Sequence, residues 1–165
     1  MFRLMTRNTH YSQRPHVTHA RRGKTLLLPM PRPAADELSL QVHLALDAMR
    51  RGKGNVSTAQ TLCQAMILVG LLADLGYGEA TVEQMRSAEN VISAAFDRGR
   101  DSGVWRLDDD GFMQFAMIAT MYDEQLRRAP MSAMAEASNR FAGSVRASRS
   151  RPSPALSGSS HRINP

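Results

Sequence analysis

Apolar residues along the middle of this chain recur at intervals of three and four, the spacing that lines one face of a helix, and nowhere settle into alternation. The first such pattern predicts a helix from about Ala34 to Arg51, with Leu38, Val42, Ala45 and Met49 as one stripe widened by Leu46. Asp36 and Glu37 are expected in its first turn and Arg50 and Arg51 in its last, where their charges suit the helix dipole. Gly52 can supply the left-handed residue that ends it.

A second helix is expected to start at Ser57, whose hydroxyl can cap it while Gln60 closes a capping box, and to stop at Gly76. Its apolar positions (Leu62, Ala65, Met66, Ile67, Leu68, Val69, Leu71, Leu72, Leu75) run nearly all the way round, which suits the centre of a bundle or an oligomer interface. The third repeats the box at Thr81 and Gln84 and places Val82, Met85, Val91 or Ile92, Ala95 and Phe96 on one side before "RGRDSG" ends it. The connector "GVWRL" is expected to pin Trp105 against the core. The fourth helix opens at Asp108, Asp109 and Asp110, carries Phe112, Phe115, Ala119, Tyr122 and Leu126, and stops at Arg127, Arg128 and Pro130.

A fifth segment, Ser132 to Ala147, is helical by propensity, with Met134, Phe141 and Val145 as its main apolar cargo, and is expected to dock weakly. The expected fold is therefore all-α, a four-helix bundle with a fifth C-terminal helix. Residues 1–29 and 148–165 lack any hydrophobic period and are expected to be disordered, leaving 30–147 as the helical domain. Leu26, Leu27 and Leu28, followed by Pro29, Pro31 and Pro33, predict an extended segment that its leucines anchor along the bundle.

The net charge of +6 changes the picture because it is unevenly divided. Residues 1–33 hold seven basic residues and no acid, residues 34–147 hold 11 basic and 15 acidic residues, a net −4, and residues 148–165 add three arginines. Attraction to phosphate is thus expected through the ends, above all through Arg14, Arg21, Arg22, Lys24 and Arg32. A lone cysteine, Cys63, excludes an internal disulfide and fits a reduced, cytoplasmic setting. The longest apolar stretch, inside Leu62 to Leu75, is broken by Gln64, Gly70 and Asp74, so no membrane span is expected.

Candidate chemistry is sparse. Gly23-Lys24-Thr25 looks like the end of a phosphate loop, but Thr18 stands where that loop needs glycine, and prolines follow where it needs a helix. Asp108 to Gly111 lacks the alternating ligands of a calcium loop and reads as a helix start. His16 and His19 have metal-like spacing without cysteine or carboxylate companions, and His43 beside Asp47 reads as a structural i,i+4 pair. No enzyme, cofactor or metal site is expected. "LADLGYGEATVEQM" could form a helix-turn-helix, yet Glu79, Glu83 and Glu89 would repel phosphates, so an antiparallel helix hairpin is favoured. Met113, Met117 and Met121 fall four residues apart, a second apolar stripe that predicts a homodimer or a docking groove for another protein.

"VHLALDAMRRGKGN" followed by "TLCQAMILVGLLADLGYG", with "RRGKTLLLP" ahead of them, resembles short bacterial proteins labelled Fis-like transcriptional regulators, related to the factor for inversion stimulation. The similarity covers roughly residues 21–78. It implies a cytoplasmic, helical, dimeric regulator associated with DNA. Two readings follow: a DNA-associated accessory or regulatory protein working through its basic arm, and a protein–protein interaction module using the Met-rich surface without nucleic acid.

Overall fold

The computed structural model describes Gly23 and residues 25–149, and Arg14, Arg21, Arg22, Lys24, His16 and His19 lie outside that set, as do most of both expected disordered ends. Among the described residues five full helices follow in order: α1 (Arg32–Arg50), α2 (Val56–Asp74), α3 (Val82–Ser102), α4 (Asp109–Arg128) and α5 (Met131–Arg149). No strand occurs among the described residues, where one isolated antiparallel bridge joins Pro29 to Pro130. The all-α expectation holds.

Helix ends follow local chemistry. Both α1 and α2 stop in a double-bonded left-handed turn: Lys53 N–H reaches Ala48 O and Tyr77 N–H reaches Leu72 O, each at 2.9 Å, with Gly52 and Gly76 at φ +69° and +87°. At Thr81 the capping box forms with Gln84 as expected, and Asp108 caps α4 by accepting from Gly111 N–H at 2.7 Å. Two starts differ from expectation. The helix α1 begins at Arg32 behind Pro31, because Pro33 tolerates the first turn, so Asp36 and Glu37 fall beyond that turn. Asn55, rather than Ser57, caps α2: its side chain accepts from Thr58 N–H at 3.0 Å and Thr58 Oγ1 accepts from Asn55 N–H at 2.8 Å.

The helix α2 is the hub, in contact with each of the other four, while α1 packs on α4 and α4 on α3. This explains its all-round apolar sequence. The helix extends beyond its longest apolar run, and its 19 residues, with a mean hydropathy of 1.6 over an 18-residue window, give it the length and composition to cross a membrane; here it contacts all four other helices and 33% of that window is buried. Met49, Leu62, Val69, Leu72, Leu107, Phe115, Ile118 and Leu126 form the deepest core. On α3 the inward stripe is Ala88, Ile92, Ala95 and Gly99, where the two alanines and the glycine admit close approach, whereas Val82 is 75% exposed, contrary to its expected place on that stripe. Trp105 meets Phe96 edge-on, ring centroids 5.8 Å apart, and covers Gly99, as the connector pattern predicted.

The fifth helix docks on α2 through Ala133, Met134 and Ala137, all buried. The expected Met134 is thus buried between two alanines, and Phe141 and Val145 further along are partly buried in a cleft shared with Gln60 and Gln64 of α2. Its start is tied by Met131 N–H to Leu28 O at 2.9 Å. The segment is not extended as expected, since Thr25 and Leu26 are helical and Leu28 N–H closes a turn on Thr25 O at 3.2 Å; its leucines, Leu26, Leu27 and Leu28, are exposed, so main-chain bonding holds it in place of the expected anchors, and Met30 packs on the core instead.

Candidate functional site

Of the basic residues expected to meet phosphate, Arg32 alone is described; it is exposed and opens α1. An arginine at a helix N-terminus gains nothing from the dipole there. Its neighbours in the expected set, Arg14, Arg21, Arg22 and Lys24, lie outside the described residues.

The helix-turn-helix candidate resolves into a hairpin. Ile67, Gly70, Leu71 and Asp74 of α2 line one open groove of about 460 Å³ with Val82, Met85, Arg86 and Glu89 of α3. The late part of α2 therefore lies beside the early part of α3, and the early part of α2 beside the late part of α3, where Gln60, Cys63 and Gln64 share a second cleft with Phe96. Two helices running alongside one another cannot offer the second as a reading helix while the first crosses the backbone.

On α4 the methionine stripe divides. Met113 and Met117 are 61% and 40% exposed, while Met121 is partly buried beside Tyr77 and Gln125. Leu40 and Leu44 on the neighbouring α1 are 57% and 60% exposed. Four large apolar side chains thus stand out from two helices that pack together.

The remaining candidates, Cys63, His43 and the aspartates at the start of α4, stand apart from one another. Cys63 is partly buried, and burial, followed by the nearby Glu89 carboxylate, pushes its thiol above the ordinary value, which favours the protonated form. His43 turns away from Asp47, which Arg51 takes at 2.9 Å, and places its Nε2 2.9 Å from Asp123 Oδ2 on α4. Asp109 and Asp110 sit in the first turn of α4, where they favour the dipole. Among the described residues no three His, Cys, Asp or Glu side chains converge as a metal would require.

One residue was missed at the level of sequence. Gln125 is 2% exposed, and its Nε2 donates to Val69 O at 2.9 Å and Tyr77 O at 2.8 Å, fastening the α2–α3 turn to α4; its Oε1 is buried without a partner. The available signal was phase: Gln125 falls three residues after Tyr122 and beside Leu126, on the buried stripe.

No family model, curated protein or solved structure matches this chain.

Proposed function

We propose that this chain is a small cytoplasmic DNA-associated accessory or transcriptional regulatory protein that touches nucleic acid through Arg14, Arg21, Arg22, Lys24 and Arg32. One observation carries the reading: seven cations and no acid in residues 1–33 precede a body of net charge −4. That body would repel phosphate, so contact falls to the arm, and it would be blind to sequence because cations on backbone phosphates carry no base information. The resemblance to Fis-like regulators points the same way. If about five cations meet phosphates, the salt slope is roughly −4.5 and affinity falls several-hundred-fold between about 50 and 200 mM salt. Titration of the full chain against random duplex DNA at those two concentrations tests this, with a chain lacking residues 1–25 as control. Salt-steep binding that the deletion abolishes supports the reading; no binding by the intact chain at low salt refutes it.

The exposure of Met113 and Met117 favours a second reading, a protein–protein interaction module that works through this helical surface and binds no nucleic acid. Failure of the DNA titration together with a defined higher native mass would select it.

A further inference from the structure

We propose that the outer face of the α1/α4 layer is the contact between two copies of this chain, stacked with their helices antiparallel. Leu40 and Leu44 lie one turn apart on α1 and Met113 and Met117 one turn apart on α4, all exposed, on the sides of these helices opposite their buried stripes. Among the described residues no other helix covers them: there α1 packs on α2 and α4, and α4 on α1, α2 and α3. Single exposed leucines are ordinary on a protein surface, but four large apolar side chains on two adjoining helices form a patch of the kind that marks an interface.

Charge selects the occupant. His43 meets Asp123, and the Arg50 guanidinium lies 4.2 Å over the Phe112 ring, so α1 and α4 run antiparallel with the early part of one beside the late part of the other. Summed over its exposed charges, each helix passes from a net negative start, Arg32, Asp36 and Glu37 on α1 and Asp109 and Asp110 on α4, to a net positive end, Asp47, Arg50 and the C-cap Arg51 on α1 and Glu124, Arg127 and Arg128 on α4. When two such faces stack with helix over helix in opposite directions, the net negative start of one helix meets the net positive end of another at both ends, and the leucines and methionines close on one another between them. A second copy supplies this complement automatically, because a twofold axis presents the same patch to itself.

The size is adequate. Helices of 19 and 20 residues give a face about 30 Å long and about 20 Å wide, on the order of 600 Å² per partner, against about 800 Å² in a standard stable interface. A reversible dimer is therefore expected rather than a permanent one. Dimerisation would also place two basic arms on one particle, but it does not rest on nucleic-acid binding and is measured without it.

Sedimentation velocity of the full chain, from low to high micromolar, should show a concentration-dependent dimer. Leu44→Glu with Met117→Glu should leave the monomer with unchanged helical circular dichroism, since both positions are exposed, and the milder Leu44→Gln with Met117→Gln should weaken association at least tenfold. A chain that stays monomeric throughout, or a dimer that either double variant leaves intact, would overturn the proposal. Sedimentation decides it even if DNA binding fails.

Discussion

His43 on α1 and Asp123 on α4, 80 residues apart, meet with Nε2 2.9 Å from Oδ2 and so join the two helices whose outer face we assign to the dimer. The imidazole side chain is 48% exposed and the carboxylate 19%, and Asp123 Oδ1 is buried without a partner. A contact half in water is worth little, because both groups are well solvated when apart. His43→Ala should therefore lower the unfolding free energy by about 1 kcal/mol or less, measured as a shift in urea midpoint at constant slope. A loss well beyond that would mean the pair bears more of the α1/α4 seam than its exposure allows.

That pairing also marks where sequence reading stops. Helix existence was legible, because stripes such as Val42, Ala45 and Met49 or Phe115, Ala119, Tyr122 and Leu126 repeat with the helical period and are all buried. Partners across helices were not, because nothing in local spacing links His43 to Asp123, and Asp47 offered a nearer candidate that Arg51 occupies. For the candidate site, the methionine stripe was legible as a stripe, but its division into exposed Met113 and Met117 and half-buried Met121 depends on where the α2–α3 turn lands.

The start of α2 shows the same limit on a smaller scale. "NVSTAQ" contains two overlapping boxes, Asn55 with Thr58 and Ser57 with Gln60, and local chemistry permits either. The chain uses the first. Asn55→Ala should cost about 1 kcal/mol and Ser57→Ala no more than a few tenths, read from thermal or urea unfolding of the two variants side by side. Equal losses would restore Ser57 as the working cap.

Gly99 is required by Trp105. A Cβ at position 99 would overlap the indole ring, which cannot retreat toward Phe96 without losing their edge-on contact. Gly99→Ala gains up to about 1 kcal/mol of helix propensity, yet the overlap should outweigh it and leave a net loss of about 1–3 kcal/mol. With one tryptophan in the chain, its emission should also shift to the red as the ring moves outward. A stabilised variant with unchanged emission would show that the ring had room.

Gln125 holds the α2–α3 turn by two bonds that no apolar side chain can replace. Gln125→Met preserves much of the shape but leaves the Tyr77 carbonyl without this donor, so a loss of about 1–3 kcal/mol is expected. Hydrogen exchange should quicken first at Tyr77 and Gly78, where the turn is released. A variant more stable than the parent would mean that burying the amide, with its unpartnered Oε1, costs more than its two bonds return.

Two acids, half-buried Cys63 and buried Tyr122, should weaken the fold at alkaline pH. Burial raises the Cys63 thiol from its ordinary 9.0, with a further push from Glu89, and burial raises the Tyr122 phenol from 10.0, with a further push from Asp123. Both groups hold their protons in the folded chain at a pH where the unfolded chain has begun to release them. The contribution of these two groups should therefore be whole below pH 9.0 and fall as the pH climbs from 9.0 for Cys63, and from 10.0 for Tyr122, through their raised values. Cys63→Ser should flatten the first part of that decline and Tyr122→Phe the second, each compared with the parent by urea midpoints across the alkaline range. Asp123→Asn tests the cause separately, since removing the charge should bring the phenolate absorbance of Tyr122 in at lower pH while burial still keeps it above the ordinary value. A decline that both Cys63→Ser and Tyr122→Phe leave untouched would place the alkaline weakness in groups other than these two.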